Sequence, residues 1–464
     1  MKKTVPMVIA GTSLAVVLAG GHLLWTALRV GTGYAAKVTC SMALNSAQDP
    51  SAIVHDYIER ELAPLGALLD VEVTDQGAQA NALGLVHARA VYRSGAGCTL
   101  LPDAGATAQS LPPPIELPRR KLDVAAAWPQ GEGGVTTPPS SRIVAAIDEA
   151  FREVDPPDSG RIRQTKAVLI AHDGQLIAER YAKGYGPFTS MLSWSMAKSV
   201  LAALYGVAIG DGRFQLRQTA PVPEWAAPGD PRHAITIDQL LRMSSGLRFD
   251  ETYGAINDVS RMLFTMPDTG AFAASFDLAA PPDTRWSYSS GTANILARVL
   301  HDSFGGDLGA LVRYADERLF DPVGMTSAFF EADASGTPIA SSFVFMTARD
   351  WARFGELHRL DGTWNGKRIL PEGWVSYVTS PTPAASQGSY GAHWWLNRGE
   401  PSDPSRRPWP TLPPDAYSAR GHSGQYVLVV PSEKLVIVRL GLSFPDDGDE
   451  GTVQMAAAVI AALH

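Results

Sequence analysis

The sequence predicts an α+β fold: an antiparallel sheet flanked by helices, with a helical subdomain beside it, preceded by a membrane span and a small N-terminal module. Three observations predict it. Hairpin-like stretches stand at both ends of residues 141–464, "KAVLIAHDGQLIAERY" and "QYVLVVPSEKLVIVRLG". Between them, up to about residue 375, helical spacing of apolar residues dominates. The chain also opens with a long uncharged run.

That run extends from Thr4 to Leu28, with Lys2 and Lys3 before it and Arg29 after it. A positive start followed by a stretch long enough to span a bilayer is expected to form an inner-membrane anchor over residues 1–36, placing the rest in the periplasm. A signal peptide cleaved near "GTGYAAK", which would export the protein, is the alternative. Residues 37–104 form a small α+β module, in which "SAIVHDYIERELAPL" reads as helix and residues 68–94 read as strands around a Gly-containing turn. The chain's two cysteines, Cys40 and Cys98, both fall there. Beyond an export signal such a pair is expected to be a disulfide.

Residues 105–140 are rich in Pro, Gly, Ala and Ser and read as an extended linker, with Arg119, Arg120 and Lys121 solvated on it. From residue 141 onward the pattern is continuous. Ile143, Ile147 and Phe151 share one helix face, Asp173-Gly174 supplies a hairpin turn, and "GTVQMAAAVIAAL" closes the chain as an apolar helix. This region, 141–464, is expected to fold and act by itself.

Composition excludes some functions. Hydrophobic residues at 45% and charged residues at 19% describe an ordinary globular core, and a net charge of -8 argues against nucleic acid as partner. The ten histidines show no metal-binding spacing, so neither a metal nor another cofactor is expected.

The chemistry is carried by "SWSMAKS", residues 193–199. Ser195 precedes the apolar helix "LAALYGVAIG", whose unpaired N–H groups favour an oxyanion. Lys198, three residues on, shares its face, and burial would lower its pKa until a neutral amine could take the serine proton. Taken locally, a helix-capping serine with a solvent-seeking lysine explains the pattern as well. Two further stretches weigh against that. "TRWSYSSGTANILARVL" sets Tyr288 and Ser290 before a helix, and "SARGHSGQYVLVV" sets His422, Ser423 and Gly424 where a hairpin begins.

Ser-x-x-Lys, then Tyr-x-Ser, then His-x-Gly resembles the three-motif pattern of the β-lactamase and D,D-peptidase superfamily of serine hydrolases. It is most similar to the class C-related branch, which includes esterases and 6-aminohexanoate-dimer hydrolases. The stretches at 235–247, 341–357 and 390–397 agree. The resemblance implies a β-lactamase/transpeptidase-like fold. It makes Ser195 the acylated nucleophile, with Lys198 and Tyr288 sharing its proton transfers. It also implies that Ser290 orients Lys198, that the backbone N–H groups of Ser195 and Gln425 form the oxyanion hole, and that His422, Ser423 and Gly424 border the substrate.

Two departures bear on the substrate. The third motif begins with His422 where a lysine would offer permanent charge to a substrate carboxylate, and the second ends in Ser290 rather than Asn. An esterase or amidase with weak or no β-lactamase activity is therefore expected, acting on a small ester, amide or peptide. A D,D-peptidase or β-lactamase, and a membrane-tethered binding protein that has lost catalysis, are the alternatives. Tyr253 reads as a loop tyrosine outside the catalytic set.

Overall fold

The computed structural model describes residues 5–101, 111, 113–153, 161–400, 402–445 and 449–464, with side chains from residue 20 onward except at 449 and 450. Helix α1 (Val5–Ser46) runs unbroken through the expected boundary at residue 36. Beyond short helical turns over Pro50–Glu61 come β1 (Leu69–Thr74), β2 (Gly77–Ala82), β3 (Val86–Arg93) and β4 (Gly97–Leu101). They form a four-stranded antiparallel sheet in sequence order, packed against α1.

Helix α2 (Ser141–Phe151), capped by Ser140, leads into β5 (Ile162–His172) and β6 (Gln175–Tyr181). Their turn places Asp173 and Gly174 at positive φ, as an Asp-Gly hairpin requires. Next in the chain come β7 (Ser190–Leu192) and helices α3 (Ala197–Gly210), α4 (Asp258–Thr265) and α5 (Ser290–Asp302). They are followed by β8 (Phe329–Phe330), β9 (Val344–Thr347) and α6 (Ala348–Arg359). A small hairpin, β10 (Thr363–Trp364) with β11 (Lys367–Arg368), precedes β12 (Trp395–Leu396), β13 (Tyr417–Gly421), β14 (Gln425–Val430), β15 (Leu435–Phe444) and α7 (Asp449–Leu463).

The main sheet has the order β12-β13-β14-β15-β5-β6, so strands from both ends of residues 141–464 meet at the β15–β5 pair. That is the closure expected from the two terminal hairpins. One face buries α2 and α7 against Val168, Ile170, Leu428 and Ile437. The other meets α6 and, through it, the helical region around α3.

The N-terminal part departs from expectation. Among the described residues no helix is long and apolar enough to cross a membrane. The first part of the run Thr4–Leu28 has side chains outside the described residues. The later part of α1 is core: Val30, Tyr34, Ala35, Ala36 and Val38 are buried in the same cluster as α3 and α5. A Cβ at Gly33 would overlap the Phe264 carbonyl oxygen, so the approach of α1 to α4 requires glycine there. From Val30 on, its apolar residues pack against protein.

Buried polar contacts tie α1 down as well. Lys37 Nζ lies 2.6 Å from Glu331 Oε2 and also donates to the Cys98 carbonyl. Glu331 accepts further from Ser41 Oγ at 2.7 Å, Asn45 Nδ2 at 2.7 Å and Cys98 N at 2.6 Å. Every acceptor position of a carboxylate buried without solvent is thereby used, which is what makes its burial tolerable. The expected disulfide, Cys40–Cys98, joins α1 to β4.

The described part of the linker is not solvated throughout. Arg119 bonds Asp316 Oδ1 at 2.9 Å and the Thr326 carbonyl at 2.8 Å, and Arg353 reaches back to the Pro129 and Gly131 carbonyls at 3.0 and 2.6 Å. A guanidinium has five donors in a fixed fork, and these carbonyls and carboxylates satisfy it better than an isolated lysine would be satisfied.

Candidate active site

Strand β7 delivers the chain to Ser195. Ser193 N donates to Val344 O at 2.9 Å and Val344 N donates to Ser193 Oγ at 3.2 Å, locking the turn to β9. Trp194 then adopts φ 45°, a left-handed conformation rare for a bulky residue, and is held there by burial. Its indole packs against Tyr34 of α1, Phe343 and the edge of the His422 ring. The kink turns Ser195 out at the head of α3.

Lys198, 1% exposed, spends its three donors at one distance, 3.0 Å, on Ser195 Oγ, Ser290 Oγ and the Ser341 carbonyl. Burial pulls its pKa down to about 8, opposed by the carboxylate of Glu251. At pH 7 a pKa of about 8 leaves roughly one amine in ten neutral. His393 fixes the lysine backbone: its Nδ1 lies 2.8 Å from the Lys198 carbonyl, and burial pushes its own pKa down to about 3. A neutral imidazole donating from Nδ1 fits both facts.

Motif spacing does not single out Glu251, yet this residue closes the network. It accepts from Ser290 N at 2.6 Å and Ser290 Oγ at 2.5 Å, so Ser290 passes a hydrogen-bond chain from Lys198 to a carboxylate. Burial raises the Glu251 pKa and Lys198 opposes that shift. The signal present in the sequence is a carboxylate placed just past "SSGL", in "FDETYG".

The aromatic residues divide into two groups. Tyr288 turns its ring face to Lys198 Nζ, 4.8 Å from the centroid, and packs on Trp395 and Tyr390. Trp394, by contrast, is buried core against Phe354 and Tyr417. Tyr253, read from the sequence as a bystander, reaches the site: its ring stacks on His422 at 5.3 Å, and burial raises its pKa while Ser290 and Ser195 oppose that shift.

The third motif is placed differently from expectation at three positions. His422, Ser423 and Gly424 form the turn between β13 and β14, with Ser423 and Gly424 both left-handed. That turn sends Ser423 and Gly424 inward. Ser423 is fully buried, a Cβ on Gly424 would collide with the Arg439 guanidinium, and Arg439 donates to the Gly424 carbonyl at 2.6 Å. Both carbonyls accept from the buried Arg439 guanidinium.

Gln425 is the third. Asn397 N donates to Ala416 O, so residues 416, 418, 420 and 422 point their backbone groups away from β14. Gly421 and its partner Gln425 then belong to the set that faces across the β13–β14 ladder. The Gln425 amide is turned into the hairpin, and its side chain bonds Gly441. The strand lies closest to the nucleophile at Gly421, where a Cβ would fall 3.2 Å from Ser195 N. His422 remains at the edge of the site, with Nε2 2.9 Å from Glu61 Oε1 of the N-terminal module.

Among the described residues no group of His, Cys, Asp or Glu could hold a metal ion. What the arrangement can do is acyl transfer: a serine hydroxyl touching an amine of lowered pKa at a helix start.

The chain is similar to known proteins in sequence and fold. The Beta-lactamase family profile matches residues 154–462. A curated relative, 6-aminohexanoate-dimer hydrolase of Paenarthrobacter ureafaciens, is 26% identical over 310 residues, covering 61% of this chain and 73% of its own. A Bacillus anthracis structure provisionally named for the same activity superposes with TM-score 0.56 at 21% identity, covering 89% of this chain and 95% of that one. A penicillin-binding protein homolog from Caulobacter crescentus gives 0.54 at 16% identity over 71% and 100%, and a family VIII carboxylesterase 0.54 at 15% over 71% and 99%. The profile match spans most of the chain, and the chain is a serine hydrolase belonging to the Beta-lactamase family.

Proposed function

We propose that the protein is an esterase or amidase that works through an acyl-enzyme on Ser195. The observation carrying this reading is the 3.0 Å contact between Ser195 Oγ and a buried Lys198 whose pKa is lowered to about 8. In its neutral form Lys198 takes the Ser195 proton as Oγ attacks the carbonyl carbon, and the carbonyl electrons move to oxygen. The Ser195 N–H and the outward N–H of His422, beside Gly421, receive that charge. Collapse expels the alcohol or amine with a proton relayed from Lys198 through the hydroxyl of Tyr288. Water, deprotonated by the same groups, then releases the acid. Ser290 and Glu251 hold the Lys198 ammonium while it carries the proton.

The contact of His422 with Glu61 supports an ester or amide substrate over a β-lactam or D-Ala-D-Ala peptide. A carboxylate on the substrate would meet Glu61 at the place where related motifs offer a cation. The Paenarthrobacter relative is named for hydrolysis of a 6-aminohexanoate dimer, an amide, which supports including amides beside esters in the proposed substrate class. The disulfide supports action in an oxidising compartment outside the cytosol, as the opening apolar run also suggests. The test is a panel of p-nitrophenyl esters, nitrocefin, D-Ala-D-Ala peptides and linear amides with wild type and Ser195→Ala. Ester or amide turnover lost in Ser195→Ala supports the reading. Turnover confined to nitrocefin and peptides overturns it.

A further inference from the structure

Beside Trp194, the residue before Ser195, is a cavity of about 280 Å³ walled by both the N-terminal and the catalytic regions. One wall comes from α1 (Ala27, Val30, Tyr34), a second from the module segment 61–65, and a third from Phe264 and the active-site residues Trp194, Tyr253 and His422. We propose that this cavity is a subsite for an uncharged apolar chain, so that the substrate is an ester or amide carrying an alkyl or acyl chain of several carbons. The proposal rests on the hydrolase reading above and names the substrate class of that site.

Four observations carry it. First, the cavity borders the active site: Trp194, the residue before Ser195, lines it together with Tyr253 and His422, whose rings stack at 5.3 Å. Second, its walls are largely aliphatic and aromatic, and burying apolar surface there is worth about 25 cal/mol per Å². Third, the charged residue among them, Glu61, is engaged with His422 and would repel a chain ending in carboxylate. Fourth, the apolar surface continues outward. Leu23 and Leu24 stand one turn before Ala27 on the same helix face and are 49% and 53% exposed, which lets a longer chain run along α1.

The test compares kcat/KM for p-nitrophenyl acetate, butyrate, octanoate and the p-nitrophenyl monoester of suberic acid, using the full chain. Wild type is expected to prefer octanoate to acetate by at least tenfold and to discriminate against the carboxylate-ended suberate. Val30→Trp fills the cavity from α1, and Leu62→Trp fills it from the half-buried module side, where folding is less at risk. Either is expected to lower the octanoate-to-acetate ratio at least tenfold. A wild-type ratio of one or below, or a ratio unmoved in a folded variant, overturns the subsite.

Absence of turnover with every ester would count against the hydrolase reading instead, and binding then decides the subsite. N-octylacetamide, but not N-propylacetamide, is expected to raise the Tm of Ser195→Ala, and Leu62→Trp added to it should abolish the shift. No shift with the octyl compound overturns the proposal.

Discussion

His422 Nε2 lies 2.9 Å from Glu61 Oε1, joining a motif residue of the catalytic sheet to a carboxylate of the N-terminal module. Both side chains are 18% exposed, so the pair is partly shielded from solvent. Its position explains why His422 is poorly suited to receive a substrate carboxylate, because that place is already taken by one. Glu61→Gln is expected to raise the nitrocefin-to-ester ratio of kcat/KM several-fold, and His422→Lys in the same background to raise it further. A ratio unchanged in both would remove His422 from contact with substrate charge.

The pH profile should report Lys198. Only its neutral form accepts the Ser195 proton, so kcat/KM for an ester is expected to rise with pH and level off above about 8. Below that it should fall about tenfold per pH unit. Glu251 raises the Lys198 pKa, so Glu251→Gln should move the acid limb to lower pH. A limb that stays in place, with the variant folded, would show that Glu251 acts only through Ser290.

Substitutions in the reacting set have a different signature. Ser195→Ala should abolish acylation, read by fluorophosphonate labelling. Lys198→Ala and Tyr288→Phe should each lower turnover by about 10²–10⁴-fold. Since the groups act together, the double variant should fall far short of the product. Near-normal turnover in Lys198→Ala would exclude it as the base.

Glu331→Ala should destabilise the protein by about 3–5 kcal/mol, because it strands the Lys37 ammonium without solvent or counter-charge. Chemical denaturation measures this. A loss below about 1 kcal/mol would mean that the buried lysine finds other partners or loses its proton on folding.

Residues 141–464, which by sequence should fold and act alone, are expected from the packing of α1 to be insoluble or inactive by themselves, since removing α1 uncovers Trp194, Phe264 and Phe343. Reducing Cys40–Cys98 in the full chain should cost at most about 4 kcal/mol for a loop of 58 residues. A soluble, active fragment would show that the module only decorates the catalytic domain.

What could be read from the sequence by itself was local or periodic. Ser195 and Lys198 fall on one face because three residues make nearly one helical turn, and Asp173-Gly174 names its turn through its φ angles. The hairpins at both ends announced the sheet because alternation marks strands wherever they later pair. Tertiary structure decided the rest. Glu61 meets His422 across 361 residues, Lys37 meets Glu331 across 294, and Tyr253 reaches His422 from a loop of ordinary composition. Apolar residues of α1 read as membrane-spanning because hydropathy records a preference for leaving water, and the same preference is met by lipid or by protein. For the part of α1 from Val30 on, the packing of Val30, Gly33 and Tyr34 against the catalytic domain shows that protein meets it.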